Sequence, residues 1–192
     1  MANRIILASA SPQRKKLLSL IFSEFEIHPT DADETLTGRN IRFQTARLSR
    51  LKAETAAETL NRPARTLIIA ADTLVSVRGR LLGKPQTRQE AAEMLNLLSG
   101  RTHRVTTGFT LWTAGKCLTR TVETKIVMAR LTAEMKERYL DTDEWRGAAG
   151  GYRIQNSGEL LFFKIIGSYS NVVGLPIAQL RLLIAKNFPE FL

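Results

Sequence analysis

The sequence predicts an α/β fold in which a mixed, twisted sheet is flanked by helices. Short apolar runs alternate with helical patterns, as in α/β proteins. The apolar run "TLIIAADTLV" at 66–75 is rich in β-branched residues, which favours a buried central strand. Two long strands flank the turn at 113–116 and predict an antiparallel hairpin, so the sheet is not purely parallel. We expect residues 1–192 to form a single domain, with two lobes.

The first half of the chain alternates between strand and helix patterns. The predicted elements are a strand at 4–8, a helix at 11–21, a short strand at 25–28, a long helix at 40–60 and the central strand at 66–75. Ser11 suits the N-cap of the first helix, and Pro12 suits its first position because proline has no N–H to leave unpaired. The long helix is expected to end at 61–63, where "NRP" follows.

The second half begins with a turn at 78–80 that leads back through "LLGKP". Thr87 and Glu90 have the spacing of a capping box, and Gly100 is a stop signal after the helix that follows. The remaining predicted elements are hairpin strands at 103–113 and 117–129, a helix from Thr132 to about 141, a strand near 161–166 and a last helix opened by Pro176.

The composition is that of a globular protein, with 44% hydrophobic and 24% charged residues. No apolar run is long enough to cross a membrane, and the start of the chain lacks the apolar region of a signal peptide. The single cysteine, Cys117, excludes an intrachain disulfide framework and a cysteine-based zinc cluster. We therefore expect no membrane association and a cytoplasmic location.

The net charge of +10 is the unusual bulk property. Such a charge attracts polyanions, whether nucleic acid, membrane surfaces or nucleotides, without selecting among them. The cations are scattered along the chain, and no RGG run, zinc-finger spacing or RNA-recognition signature is present. Charge alone is therefore a weak indication of nucleic-acid binding, and we do not expect a nucleic-acid partner.

The stretch "LASASPQRKKLL" at 7–18 joins the first strand to the first helix. Capping explains Ser11 but not Ser9, Gln13 or Arg14. Free backbone N–H groups and the helix dipole at such a junction suit an anion such as phosphate. From this stretch alone, a cap with solvated cations remains the favoured interpretation, and phosphate binding is the alternative.

Asp72 is expected at the end of the most buried strand, followed by Thr73. A buried carboxylate is costly unless it is paired or binds a metal. Asp72 is therefore either a hydrogen-bonded structural residue, a metal ligand or a general base for water. The pair Asp33-Glu34, in the acidic loop "TDADETL", offers a second carboxylate for a divalent cation, although most such loops are simply solvated.

Two lysines are candidate phosphate ligands. Lys84 lies between glycine and proline in "GKP", a setting that favours a fixed point charge over a flexible surface cation. Lys52 lies among alanines in a helix, "RLKAETAAE", where most lysines are solvated. Each signal is weak by itself.

The segment "GAAGGYRIQNSG" at 147–158 has too many glycines for a regular element. Glycines allow close approach of backbone to a ligand, and Tyr152 and Gln155 offer stacking and hydrogen bonding to a base. Composition alone favours a flexible connection. His103 is expected to be structural, and "GSYSNVVGLP" at 167–176 is expected to be a polar turn before the last helix.

Eight segments in order resemble the Maf family, the septum-formation-inhibitor-like nucleotide pyrophosphatases. They span nearly the whole chain and none is decisive alone. The segments are "LASASPQR", "DE" at 33–34, "LKA" at 51–53, "AADT" at 70–73, "GKP" at 83–85, "SGRTHRVTTG" at 99–108, "AGGYRIQ" at 149–155 and "GSYSNVVGLP" at 167–176.

The resemblance implies a fold related to the house-cleaning inosine triphosphatases, with a central cleft and commonly a homodimer. It implies hydrolysis of a nucleoside triphosphate to monophosphate and pyrophosphate with a divalent cation, Mg²⁺, Mn²⁺ or Co²⁺, and a house-cleaning or cell-division-linked role. Its implied site consists of Asp72 as proton acceptor, Glu34 beside it at the metal, Ser9, Arg14, Lys52 and Lys84 at the phosphates, and Gln13, Thr73 and Gln155 as further substrate contacts.

Two branches of the family differ at three places, and this chain resembles the branch acting on dTTP and UTP at two of them. Thr73 and the run at 152–155 match that branch, whereas Gln13 stands where it has arginine and the 7-methyl-GTP branch has an aromatic residue. Ala148 and Asn156 also replace a usual lysine and glycine. The alternatives are therefore another base preference, such as 7-methyl-GTP or modified nucleotides, or a nucleic-acid-binding protein without turnover.

Overall fold

A computed structural model describes residues 3–38 and 40–192 of the chain. The strands are β1 (Arg4–Leu7), β2 (Glu26–Ile27), β3 (Thr66–Val77), β4 (Arg80–Leu82), β5 (Thr102–Thr113), β6 (Lys116–Met128) and β7 (Phe162–Ile166). The helices are α1 (Pro12–Leu18), α2 (Ile41–Thr59), α3 (Arg88–Leu98), α4 (Ala133–Leu140), α5 (Tyr169–Val173) and α6 (Ile177–Asn187). Among these residues, no helix combines the length and hydropathy that crossing a bilayer requires.

The strands form one seven-stranded sheet in the order β2-β1-β3-β5-β6-β7, with β4 paired to β3 outside this path. β1 runs parallel to both β2 and β3, and Ile6 lies opposite Ile68. β4 pairs antiparallel with β3, and β7 pairs antiparallel with β6. The mixed α/β sheet that the sequence predicts is therefore confirmed.

The chain divides into two compact units, each built from separate parts of the sequence. Unit 1 comprises Met1–Asp72, Thr107–Val122 and Gly174–Leu192, and unit 2 comprises Thr73–Thr106 and Glu123–Val173. The long strands β3, β5 and β6 each contribute residues to both units. Asp72 is the residue at which β3 leaves unit 1.

The core of unit 1 contains the buried face of α2. Ala53, Ala56 and Ala57 pack in one cluster with apolar residues of β1 and β3, including Ile68. Their small side chains permit a close approach of the helix to the sheet. In the same unit, a Cβ at Gly108 of β5 would lie 2.2 Å from the carbonyl oxygen of Thr45, so only glycine fits there.

The core of unit 2 is a larger hydrophobic cluster. It includes Ala91, Leu95 and Leu98 of α3 and the fully buried Trp145. Thr87 caps α3 by accepting a hydrogen bond of 3.1 Å from the N–H of Glu90. The reciprocal half of the predicted capping box differs, because the Glu90 carboxylate accepts from the N–H of Gln86, at 2.8 Å, instead of from Thr87.

Three local features differ from the sequence prediction. The first helix ends at Leu18, after which the N–H groups of Leu20 and Ile21 donate to carbonyl oxygens three residues back, as in a tighter 3₁₀ turn. β3 continues to Val77, so Asp72 lies inside the strand and not at its end. The polar turn predicted at 167–176 contains the short helix α5.

Candidate active site

Lys52 bridges two carboxylates within unit 1. Its Nζ lies 2.7 Å from Oδ1 of Asp72 and 2.8 Å from Oε1 of Glu34. The side chains of Lys52 and Asp72 are 9% and 8% exposed, whereas that of Glu34 is half exposed. We call Glu34, Lys52 and Asp72 the carboxylate–lysine cluster. The two predicted metal ligands are brought together, with the ammonium group between them.

The periodicity of α2 explains why Lys52 is buried. The buried residues of this helix recur three or four apart and form one face; they are Gln44, Thr45, Leu48, Ser49, Lys52, Ala53, Ala56 and Ala57. The hydroxyl of Ser49, one turn before Lys52, hydrogen-bonds that of Thr110 in β5 at 3.0 Å. Lys52 lies on this buried face, so it is not a solvated lysine. The same three- and four-residue spacing is visible in the sequence and indicates its burial.

Asp72 has one satisfied and one unsatisfied carboxylate oxygen. Oδ1 accepts the hydrogen bond from Lys52, whereas Oδ2 is buried and has no hydrogen-bond partner in the described part of the chain. Leaving a buried acceptor unmatched costs free energy, about 1–3 kcal/mol. Oδ2 is therefore suited to receive a proton or a cation from a ligand.

The β1–α1 junction carries a second polar cluster in unit 1. Ser11 caps α1 by accepting from the N–H of Arg14 at 3.4 Å, as predicted. Oγ of Ser9 accepts from the N–H of Ser11 at 3.3 Å and from an Arg14 guanidinium N–H at 3.2 Å. Nε of Arg14 also donates to the carbonyl oxygen of Gly174 at 3.0 Å. The sequence did not predict this contact with Gly174, since the two residues are far apart in the chain.

Arg14 lies close enough to the carboxylate–lysine cluster to interact with it. Burial lowers the pKa of the Arg14 guanidinium, and the charges of Asp72 and Glu34 oppose that shift. A guanidinium remains protonated under such conditions. The positive charge of Arg14 and the negative charges of the two carboxylates therefore belong to one electrostatic environment within unit 1.

Gln13 lies in the first turn of α1 and is half-buried. Its Oε1 accepts a hydrogen bond of 3.3 Å from the hydroxyl of Ser11. The side chain of Gln13 is thus held beside Ser9 and Arg14 by the helix cap. The predicted group of substrate contacts at this junction is brought together.

Lys84 lies in unit 2, in the loop after β4, and is exposed. The loop is held by its backbone, because the carbonyl oxygen of Gly83 accepts from the N–H of Gly150 at 2.9 Å. This bond joins the loop of Lys84 to the glycine-rich segment. Thr73, half-buried in β3, also belongs to unit 2.

The glycine-rich segment is ordered by close packing instead of forming a flexible connection. It contains two short 3₁₀ turns, Ala149–Gly151 and Asn156–Leu161. Gly150 has a φ of +78°, and a Cβ there would lie 3.1 Å from Val75. Gln155 is half-buried, and its carboxamide makes no hydrogen bond to the described residues. The carboxamide therefore has both its donor and its acceptor for a ligand.

Tyr152 does not have the stacking role that the sequence allowed. Its side chain is 5% exposed and belongs to the hydrophobic cluster of unit 2. Its hydroxyl hydrogen-bonds Nε2 of His103 at 2.7 Å. Burial raises the pKa of Tyr152, so its hydroxyl stays protonated. His103 is buried within unit 2, as expected of a structural residue.

The carboxylate–lysine cluster fits a divalent cation that shares its coordination with a substrate. The described residues contain no group of three or more histidine, cysteine, aspartate and glutamate side chains placed to hold a metal. Mg²⁺ typically binds one or two carboxylates together with substrate phosphates and water. The side chains of Glu34 and Asp72 supply that number of carboxylates.

Comparison with known proteins identifies relatives over nearly the whole chain. The family model of the Maf-like proteins matches residues 4–187. A protein of Chelativorans sp. (strain BNC1), named dTTP/UTP pyrophosphatase, is 43% identical over 98% of this chain and 94% of its own length. A protein of Pyrococcus furiosus with the same name is 42% identical over 91% of this chain and 90% of its own length.

Among solved structures, the Staphylococcus aureus Ham1 protein matches with a TM-score of 0.48 and 18% identity. The match covers 67% of this chain and 73% of that protein. The family assignment rests on the sequence relatives and on the matched family model. The chain belongs to the family of Maf-like proteins.

Proposed function

We propose that this chain hydrolyses nucleoside triphosphates, dTTP and UTP first, to the monophosphate and pyrophosphate. The observation that carries the proposal is the carboxylate–lysine cluster, in which the buried Asp72 keeps an unsatisfied oxygen beside the ammonium group of Lys52. The names of the relatives supply the substrate class, since they are called dTTP/UTP pyrophosphatases. A cluster of opposite charges in a buried setting suits phosphoryl transfer, which needs positioning and charge neutralisation.

Asp72 is the proposed proton acceptor. A water molecule attacks the α-phosphorus, its proton passes to Oδ2 of Asp72, and the bond from that phosphorus to the oxygen bridging to the β-phosphate breaks. Pyrophosphate leaves with the bridging oxygen, and the water oxygen remains on the monophosphate. Oδ2 is the suitable atom, because Oδ1 already accepts a hydrogen bond from Lys52.

Ser9, Arg14, Lys52 and Lys84 are the proposed phosphate contacts. Arg14 and Lys52 are held in place by their hydrogen bonds to Gly174 and Asp72, so their charges need no reorganisation when a triphosphate binds. Lys84 is exposed in a loop that is fixed by its backbone. Such fixed cations stabilise the negative charge that shifts to the leaving pyrophosphate.

Gln13, Thr73 and Gln155 are the proposed contacts to the sugar and base. The carboxamide of Gln155 offers one acceptor and an NH₂ donor, which match a base edge that carries both kinds of group. Gln13 also offers an amide, but its oxygen is shared with Ser11. Gln13 lies in the first turn of α1, where the dTTP/UTP branch of the family has arginine. We therefore expect this residue to make the base or sugar preference of the chain differ from that of the branch.

Glu34 and Asp72 are the residues that would hold a divalent cation, Mg²⁺, Mn²⁺ or Co²⁺. When bound, the cation neutralises phosphate charge and so favours departure of pyrophosphate. Lys52 contacts both carboxylates, so its ammonium group keeps the two anionic side chains close together. Arg14 adds positive charge in the same environment.

The test is release of pyrophosphate from dTTP, UTP, CTP, GTP, 7-methyl-GTP and modified uridine triphosphates, with Mg²⁺ or Mn²⁺. We expect release to favour dTTP and UTP. Asp72→Asn should lower kcat by about 10²- to 10⁴-fold, the usual contribution of a general base, and the chain should stay folded because Lys52 keeps its ion pair with Glu34. Asp33→Asn is the matched control, because Asp33 is an exposed neighbour of Glu34 that contacts Thr35. Asp72→Asn with full activity would refute the mechanism.

Other outcomes of the same panel separate the alternatives. Release that favours 7-methyl-GTP or a modified nucleotide would assign another base preference and point to Gln13. The absence of release from every nucleotide, together with nucleic-acid binding that weakens steeply with salt, would indicate a binding protein. The net charge of +10 is the observation behind that second candidate.

We further propose that the chain acts as one domain, forms a homodimer and works in the cytoplasm, as the family resemblance implies. The match of the family model to residues 4–187 supports a single functional domain. Light scattering after size exclusion would measure the oligomeric state, and a monomer at micromolar concentration would contradict the dimer. Cell fractionation would test the location.

A further inference from the structure

His103 and Tyr152 form a buried polar pair in unit 2. Nε2 of His103 lies 2.7 Å from the Tyr152 hydroxyl, and the rings meet edge to face with centroids 5.5 Å apart. The side chains are 1% and 5% exposed. Neither side chain takes part in the proposed hydrolysis, so another role must explain the pair.

Burial of the His103 imidazole destabilises the folded chain. Its Nδ1 is buried without a hydrogen-bond partner in the described part of the chain, and an unsatisfied buried nitrogen is destabilising. Burial also lowers the pKa of His103 to about 4, so the ring is neutral at pH 7. An apolar side chain would avoid both costs in this hydrophobic cluster. The bond to Tyr152 is the contact that an apolar residue would not provide.

The segment that carries Tyr152 is attached to unit 2 at several points, and we call residues 149–155 the anchored segment. The N–H of Gly150 donates to the carbonyl oxygen of Gly83 at 2.9 Å. The N–H of Arg153 donates to the hydroxyl of Tyr139 at 2.9 Å. Tyr152 lies between these two backbone contacts, and its hydroxyl is the side-chain attachment of the segment to β5.

Gln155 follows three residues after Tyr152, at the end of the anchored segment. A carboxamide has nearly the same shape when its oxygen and nitrogen are exchanged. Thymine and uracil present an acceptor, O4, where cytosine presents a donor, N4–H₂. A carboxamide distinguishes these bases only if its orientation is fixed, and for Gln155 that requires a fixed backbone before it.

We propose that His103 is a positioning residue, which acts through Tyr152 to fix the backbone that carries Gln155, so that its carboxamide reaches the base edge that distinguishes dTTP and UTP from CTP. This inference rests on the proposed function, because it concerns the base contact of the same enzyme. The hydrogen bond fixes Tyr152, Tyr152 fixes the anchored segment, and the segment fixes the backbone position from which Gln155 presents its carboxamide. His103 itself touches no substrate in this arrangement.

The test is the ratio of kcat/KM for dTTP to that for CTP. The two nucleotides are both pyrimidines, and the ratio does not depend on the fraction of folded enzyme. We expect Tyr152→Phe and His103→Leu each to lower the ratio about five- to tenfold, the usual effect of one lost hydrogen bond. The double variant should fall no further, because both changes break the same bond. His103→Gln, which can again reach the tyrosine hydroxyl, should recover part of the ratio.

Ser99→Ala is the matched control within unit 2. The hydroxyl of Ser99 accepts from the N–H of Leu131 at 2.8 Å, outside the anchored segment. Its loss should lower stability without changing the ratio. An unchanged ratio in Tyr152→Phe, or an equal fall in Ser99→Ala, would overturn the positioning role.

Hydrogen exchange tests the anchor without any turnover. In Tyr152→Phe we expect amides of residues 149–155 to exchange about tenfold faster, while those of β1 and α2 keep their rates. Unchanged exchange would overturn the anchor. Faster exchange with an unchanged nucleotide ratio would overturn the effect on Gln155 and leave the proposed function intact. Parent enzyme that hydrolyses neither nucleotide would overturn the proposed function and the base preference with it.

Discussion

The carboxylate–lysine cluster of unit 1 and the anchored segment of unit 2 hold their side chains by different physical means. In the cluster, a buried ammonium group lies within 2.8 Å of two carboxylates. In the anchored segment, neutral hydrogen bonds and close backbone packing fix residues 149–155. Ion pairs therefore hold the carboxylate–lysine cluster, whereas neutral hydrogen bonds and close packing hold the anchored segment.

The difference determines how each region should respond to substitution. Removing one partner of a buried ion pair leaves the other charge without compensation, so the effect is large. Removing one of several neutral contacts costs only about 1 kcal/mol, and the others remain. We therefore expect abrupt losses from changes in the carboxylate–lysine cluster and graded losses from changes in the anchored segment.

Lys52→Met should give the largest loss among the variants that test this comparison. It leaves Asp72 buried without its hydrogen-bond donor, and we expect the free energy of unfolding to fall by about 3 kcal/mol. Arg14, which interacts with the same carboxylates, keeps the loss from being larger. Pyrophosphate release should fall to background. Urea unfolding and a turnover assay measure the two effects.

Arg50→Met is the control for the lysine variant, because Arg50 lies on the same helix and pairs with Glu54 on the exposed side. We expect a change below about 0.5 kcal/mol there. Adding Asp72→Asn to Lys52→Met should restore part of the stability, since no charge then remains buried at position 72. Equal effects of Arg50→Met and Lys52→Met would show that the cluster is not held by charge.

The pH dependence of stability should show that the imidazole of His103 in unit 2 is buried and neutral. Its pKa is about 4 in the folded chain, lowered by burial, against about 6.5 when unfolded. Below pH 6.5 the unfolded chain therefore binds a proton that the folded chain does not, and stability falls as the pH falls towards 4. Relative to His103→Gln, the parent should lose about 2–3 kcal/mol between pH 7 and pH 4.5. Parallel stability curves for the two proteins would contradict a buried neutral imidazole.

Gly150→Ala should lower the free energy of unfolding less than the changes above, and Gly147→Ala is its matched control. Both glycines have positive φ, +78° and +70°, so both variants strain the backbone by about 1 kcal/mol. A Cβ at 147 would meet nothing within 4 Å, whereas one at 150 would press on Val75 at 3.1 Å. We expect a further loss of about 1 kcal/mol at 150 only, with a raised KM for dTTP. Equal melting temperatures and KM values would show that the close packing does not matter.

The sequence predicted the order and type of the secondary-structure elements better than it predicted which polar side chains are buried. Capping residues such as Thr87 and Thr132 act locally, so their helices begin where predicted. α5 was missed because five residues are too few for a helical period to be visible. Asp72 was placed at a strand end, although the apolar alternation continues to Val77 and keeps the carboxylate inside β3.

The sequence predicted residues of the candidate site only where the residue type itself indicates a chemical role. Ser9, Glu34 and Asp72 were found as hydroxyl and carboxylates in suggestive contexts. The contact of Arg14 with Gly174 and that of His103 with Tyr152 join parts of the chain 160 and 49 residues apart. Neither spacing nor composition reports such contacts, because they depend on how the sheet is assembled.

Gln13→Arg should have the smallest effect, and it tests whether one added cation at the β1–α1 junction changes activity only gradually. Gln13 is half-buried beside Arg14, and its oxygen is held by the hydroxyl of Ser11. A guanidinium at this place adds positive charge for the phosphates but remains screened by solvent, so we expect kcat/KM for dTTP and UTP to rise about two- to fivefold. Gln13→Glu, with the opposite charge at the same place, should lower it by a similar factor, and both changes should shrink in high salt. If both variants match the parent, position 13 does not contribute to phosphate binding, and the role of Gln13 must be sought in the amide that it presents to the sugar or base.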